Sequence, residues 1–179
     1  MTESRPVPAG VGGWRTLSAE QLRALARRMI EVEPLLRRAD QAQILDRLGW
    51  RRCDQQGPSD YVVDADSGLG LQDRSAELWL DDDDPSQIVT VVAFLCDSQR
   101  GEWSAFDAFR RDVFAVASRA LTEEFGPPTE TEPGEAPEVR WRLGTPILRL
   151  SDALATVVLK LERASDYDEN VALSRDESA

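Results

Sequence analysis

The run from Ile88 to Cys96, Ile-Val-Thr-Val-Val-Ala-Phe-Leu-Cys, constrains the fold more than any other part of this chain. Apolar and β-branched residues occupy both of its alternating faces, the pattern of a central strand covered on each side, here by helices. Shorter alternating segments precede it. Tyr61–Asp64 is aromatic and β-branched, and Ala76–Leu80 places Ala76, Leu78 and Leu80 on one face with Glu77 and Trp79 on the other. The Asp66-Ser67-Gly68 cluster and the acidic stretch Asp81 to Pro85 are turns between these strands.

Helices flank this region. Ser18 and Gln21 form a capping-box pattern ahead of Leu22, Leu25, Ala26, Met29 and Ile30 at helical spacing, and Pro34 ends or kinks the segment. A second short piece carries Ile44, Leu45 and Leu48 on one side and closes with Gly49 at C′ and Trp50 as its apolar follow-up. Ser104 and Asp107 open a longer helix with Phe106, Phe109, Val113, Phe114, Ala117, Leu121 and Phe125 on a broad apolar face, stopped by Gly126-Pro127-Pro128. Residues 127–138 are expected to be a flexible acidic, proline-containing loop. Closing strands follow around Val139 to Leu143 or Ile147 to Leu150, and then Leu154 to Leu161. No internal repeat is evident. The expected fold is a single α+β domain over residues 14–163, with an antiparallel sheet of about five strands and two main helices in the order α(α)-β-β-β-α-β-β. Residues 1–13 are expected to be a flexible N-terminal tail and residues 164–179 an acidic C-terminal one.

Composition narrows the chemistry. The chain of 179 residues contains no histidine, two cysteines and one lysine, Lys160. Without imidazole there is no Ser-His-Asp triad, no Cys-His pair and no histidine-ligated metal. Twenty arginines to one lysine suggest a high-GC genome. No apolar run approaches the roughly 18 residues that span a bilayer, and residues 1–13 have no hydrophobic core of a signal peptide, so a cytoplasmic location is expected. Cys53 and Cys96 are then expected to be free thiols. The net charge of −12 is unevenly distributed. Residues 1–52 carry a net +4 and residues 53–100 a net −9. A concentrated negative field repels phosphate backbones and anionic lipids and steers basic surfaces inward, which argues against nucleic-acid or membrane partners.

Several acidic motifs invite chemical readings. Tyr61-Val62-Val63-Asp64-Ala65-Asp66 resembles the first motif of the haloacid-dehalogenase-type phosphatases, an apolar strand ending in Asp-x-Asp. The resemblance covers six residues; Gly68 stands where Thr or Val is expected, and the later lysine has only Lys160 to supply it. An Asp-x-Asp at a strand end is more often turn chemistry. The calcium-loop reading of Asp64, Asp66, Gly68 and Asp73 fails at Gly68 and at Ser75, where oxygen ligands are required. No cofactor or metal site and no catalytic residue are assigned. The candidate partner-binding residues are Asp64, Asp66, Glu77, Trp79, Asp81, Asp82, Asp83 and Asp84. Trp79 shares its face with Glu77: if that face is open, it is an interface anchor ringed by carboxylates, and if a helix covers it, it is core. Trp50 and Trp141 are expected to pack in the interior, and Trp14 and Trp103 to sit near helix starts.

The helical opening closed by Leu48-Gly49-Trp50, the helix end Leu121 to Pro128, and Trp141-Arg142 followed by Leu148-Arg149-Leu150 and Val157 to Leu161 together carry a further resemblance. On these stretches the chain resembles a family of uncharacterised actinobacterial proteins of unknown function, whose members look similar to immunity proteins of polymorphic toxin systems. The element order is also similar to the secretion-chaperone-type α+β fold, in which a concave sheet and a flanking helix hold a protein client. The resemblance implies a non-enzymatic protein-binding module: an immunity protein neutralising a basic toxin, or a chaperone holding its client through an apolar sheet face.

Overall fold

The computed structural model describes residues 13–37, 40–71, 74–99 and 104–176, the side chains of 170 and 173–176 excepted. Asp73, Trp103 and residues 1–12 therefore lie outside the described residues. Helix α1 (Ala19–Val32) starts as its sequence dictates: the Ser18 hydroxyl accepts from the Gln21 N–H, and the Gln21 side chain returns to the Ser18 N–H. Leu22, Leu25, Ala26, Met29 and Val32 form its buried stripe, and a 3₁₀ turn at Glu33–Leu35 containing Pro34 ends it. Helix α2 (Gln41–Leu48) is capped by Asp40 and terminated by Gly49 at φ +70°, where a side chain would be strained. The Trp50 N–H then bonds back to the Leu45 carbonyl, and Trp50 is 4% exposed.

Strands β1 (Arg51–Arg52), β2 (Val62–Asp66), β3 (Ala76–Leu80) and β4 (Ile88–Phe94) form one antiparallel meander. Helix α3 (Ser104–Phe125) leads into a second, β5 (Glu130–Glu132), β6 (Glu138–Arg142), β7 (Pro146–Asp152) and β8 (Val157–Arg163), and helix α4 (Ala164–Asp176) follows. The meanders join through the antiparallel pair β4–β8, giving one sheet in the order β1-β2-β3-β4-β8-β7-β6-β5. Each half is thus helix followed by four-stranded meander, and the halves meet at their last strands. This repeat of element order leaves no trace as repeated sequence, because each strand needs only an apolar face and not a particular side chain.

The expectation of about five strands and two main helices is corrected to eight strands and four helices among the described residues. The extra elements lack a hydrophobic signal. β1 is two exposed arginines and β5 is exposed Glu-Thr-Glu, so both edges are formed by ladder bonds to a neighbour rather than by burial. β5 falls within the segment expected to be a loop, and α4 within the acidic segment after Arg163. Strands β6 and β7 are both present, separated by a turn with Gly144 at φ +86°.

A second correction concerns coverage. Helices α1, α2 and α3 pack on the face formed by Ala76, Leu78, Val91, Ala93, Leu148, Leu150, Leu159 and Leu161, and this layer holds the main core. Full burial of each of the Leu and Val side chains among them contributes about 1.5–3 kcal/mol. The opposite face of β4 carries none of these three helices. That face is where the charged residues of the central strands point.

The candidate site on the open sheet face

Two rows of side chains cross the open face, each fixed by strand register. One runs Asp64, Glu77, Val92, Lys160, Arg149, Arg140, Glu130; the other runs Val62, Trp79, Thr90, Glu162, Ile147, Arg142. Strands alternate their side chains strictly, so residues opposite one another in register share a face. The result is a charged lattice in which most cations meet carboxylates. Arg140 reaches Glu130 at 2.8 Å, Glu132 at 2.9 Å and Glu138 at 2.5 Å, and Arg149 reaches Glu162 at 2.7 Å. Burial pushes the Glu162 carboxyl above the ordinary carboxylate range, with Arg149 and Lys160 opposing that shift.

Trp79 lies on this face and is half-buried, so it is not part of the helix-covered core. Its indole N–H donates to Glu77 at 2.7 Å, and the Lys160 ammonium lies 4.1 Å from its ring centroid. Trp79 and Lys160 stand on strands β3 and β8, with β4 between them. Their side chains together bridge β4, which accounts for the burial of Val92 (1% exposed) on a face without a helix there. Burial lowers the Lys160 pKa, and the neighbouring Arg149 lowers it further.

A groove of about 1130 Å³ runs along this face. Trp79, Thr90, Glu162, Arg149 and Arg140 line it, as do Asp81, Asp82 and Asp83 from the β3–β4 hairpin and Asp166, Tyr167, Asp168 and Glu169 from α4. Its lining holds nine carboxylates against four arginines. Every one of those arginines is already engaged, since Arg37 pairs with Asp81 (2.6 Å) and Asp166 (3.0 Å), and Arg142 pairs with Asp168 (2.7 Å). Asp82, Asp83 and Glu169 are exposed, and their carboxylates have no partner among the described residues.

The eight sequence candidates separate into three groups. Trp79, Asp81, Asp82 and Asp83 come together at the groove, with Glu77 behind Trp79 on its indole N–H. Asp81 and Asp84 shape the hairpin. Asp81 accepts from the N–H groups of Asp83 and Asp84 and from Arg37, while Asp84 accepts from the Ser86 hydroxyl and the Gln87 amide. These bonds, led by the Asp83 N–H and the Ser86 hydroxyl respectively, hold both carboxyls below the ordinary range. Asp64 and Asp66 lie apart, toward the β1 edge. Asp64 is 7% exposed and accepts from the Gly57 N–H; Asp66 accepts from the Gly68 N–H and from Arg51 at 2.7 Å. Asp64 and Lys160 stand three strand spacings apart, roughly 14 Å, so the phosphatase-type pairing is not assembled.

Sequence reasoning missed the arginines and glutamates of β5–β8. Their signal was present as charges at period two, Glu138-x-Arg140-x-Arg142 and Lys160-x-Glu162, between the apolar Val139, Trp141, Leu159 and Leu161. Both cysteines are free, and burial raises the pKa of each thiol. Trp14 does not cap a helix but packs against Phe106 and Phe109, with centroids 5.2 and 5.6 Å away. Trp141 is core, 1% exposed, with its indole N–H on the Gly126 carbonyl. No group of three potential metal ligands occurs among the described residues, and no described helix is long and apolar enough to cross a membrane.

Fold and site define a class: an α+β protein with one eight-stranded antiparallel sheet among the described residues, α1–α3 over one face and a charged groove flanked by α4 on the other. The chain belongs to a family of unknown function, DUF6301, matched over residues 20–163. A solved structure similar to it is a DUF4309 family protein, YjgB, from Bacillus subtilis subsp. subtilis str. 168. That protein is 12% identical, with a TM-score of 0.48 over 82% of this chain and 97% of the other. No curated protein matches the chain.

Proposed function

We propose that this chain is a protein-binding module that receives a cationic protein surface in its open-face groove, and that it acts as an immunity-type protein by occluding the basic site of a toxin. The observation that carries this reading is the groove's surplus of carboxylates over arginines that are already paired. An approaching protein meets the field of Asp82, Asp83 and Glu169, which are exposed and unneutralised among the described residues. Such fields raise association rates for the complementary charge and exclude like-charged partners. Trp79 in the groove floor supplies the half-buried aromatic contact around which such interfaces concentrate binding energy. A cytoplasmic location belongs to this proposal, since an immunity protein meets its toxin inside the cell, and an actinobacterial host would suit the arginine-for-lysine bias. The chaperone alternative requires an apolar sheet face, and the charged lining of the groove offers it no support.

Affinity capture with the wild-type chain and with an Asp82→Asn, Asp83→Asn, Glu169→Gln variant tests this. The expected result is a stoichiometric basic protein on the wild type, released by high salt and much depleted on the variant. Equal recovery of the same partner on both would refute the groove as the binding site.

A further inference from the structure

Helix α4 is held differently from every other helix. The other three bury apolar stripes, whereas none of the described side chains of α4 is buried. Its described side chains make these polar contacts with the rest of the chain: Asp166 to Arg37, Asp168 bidentate to Arg142 at 2.7 and 3.2 Å, and the Tyr167 ring 5.4 Å from the Arg140 guanidinium. The Arg142–Asp168 pair is open to water, so it contributes little and is screened by salt, whereas the Arg37–Asp166 pair is partly buried and is screened less. The helix also starts at Ala164, immediately after β8 ends at Arg163. Among the described residues its backbone is tied to the sheet only at this first residue, by the chain itself and by the Ala164 N–H bond to the Thr145 carbonyl.

We infer that α4 is the movable half of the partner-binding surface, a detachable acidic arm that closes over a cationic segment of the partner. In this step Asp166 and Asp168 exchange Arg37 and Arg142 for lysines or arginines of the incoming segment, and Glu169 adds a contact it lacks in the free chain. On detachment Arg37 keeps Asp81, while Arg142 gives up its pair with Asp168, a solvent-exposed ion pair that costs little to open. The segment is then held between the arm and the groove floor at Trp79. Detachment is a property of the free chain; only the nature of the captured segment rests on the proposed function.

Amide hydrogen exchange on the free chain tests detachment without any partner. Between about 20 and 500 mM salt, α4 amides are expected to exchange roughly tenfold faster, while β4 and β8 amides hold their rates. Arg142→Glu is expected to produce the same acceleration at low salt, and adding Asp168→Arg to reverse it. Amides of α4 that exchange as slowly as those of β8 at both salt concentrations, or that ignore Arg142→Glu, would overturn the inference. Closure is tested by tying the arm down with a short bismaleimide between Arg142→Cys and Asp168→Cys in a Cys53→Ser background. Relative to the same variant before linking, the linked protein is expected to bind the captured basic partner at least tenfold more weakly. Undiminished binding by the linked protein would overturn closure and leave the acidic groove reading standing.

Discussion

At the scale of single residues, the pair Arg110–Asp152 is a buried charge pair set against the apolar core. Arg110 is a charged residue on the buried face of α3, 4% exposed, and its guanidinium contacts Asp152 at the end of β7, 2% exposed. A second carboxylate, Asp107, lies one turn earlier at 3.2 Å. Two charges removed from water are tolerable only while each has the other. Replacing Asp152 with Ala is therefore expected to cost up to about 3–5 kcal/mol in urea unfolding, because it leaves the buried guanidinium with only the half-exposed Asp107, whereas Arg110→Met combined with Asp152→Leu is expected to be near neutral or stabilising. Equal destabilisation by the single and double variants would contradict this. Asp66 makes a different prediction. Its N–H bond from Gly68 and its contact with Arg51 hold its carboxyl below the usual range, with burial opposing them. The stability it contributes is therefore complete above the unfolded-state carboxylate pKa and is lost as pH falls through the lower folded value. An Asp66→Asn chain is expected to lose less stability on acidification below roughly pH 4 than the wild type. Steeper acid unfolding in the variant, measured by circular dichroism, would contradict that assignment.

At the scale of elements, the β3–β4 hairpin shows how a charge run divides into structure and surface. Asp81 and Asp84 fold the turn through bonds to backbone N–H groups and to Ser86 and Gln87, so substituting them alters shape as well as charge. Asp82 and Asp83 face solvent. Neutralising only this second pair is expected to slow association with a cationic partner severalfold and to flatten its dependence on ionic strength, with little change in thermal stability. An association rate unchanged by Asp82→Asn with Asp83→Asn would remove the steering role of the hairpin. Legibility in the sequence followed the same division. Elements held by apolar burial were readable: the Ser18 capping box, the Gly49 terminus, the alternation of β3 and the apolar face of α3. Elements held by neighbours were not. β1 and β5 exist because β2 and β6 offer them a ladder, and α4 is docked by arginines distant in sequence. A local pattern carries no information about bonds of that kind.

At the scale of the whole molecule, the position of β4 and β8 determines what the protein presents. Their apolar composition suggests cover on both faces, yet α1, α2 and α3 occupy one side, and the other is finished by the Trp79–Lys160 bridge, the charge lattice and the polar flank of α4. An all-antiparallel sheet can leave one face to water in this way, and alternation in β6–β8 already encodes it. The candidate acids lie in the most negative stretch of sequence, but the groove takes its charge from both halves of the chain, including Glu130, Glu132 and the acids of α4. Photo-crosslinking from opposite faces tests the account most directly. A benzoylphenylalanine placed at position 83 or 169, on the groove rim, should trap the basic partner in the native host, while one at position 116, where Val116 is 53% exposed on α3, should not. Trapping from position 116 and not from the groove rim would place the partner on the helical face and contradict the account.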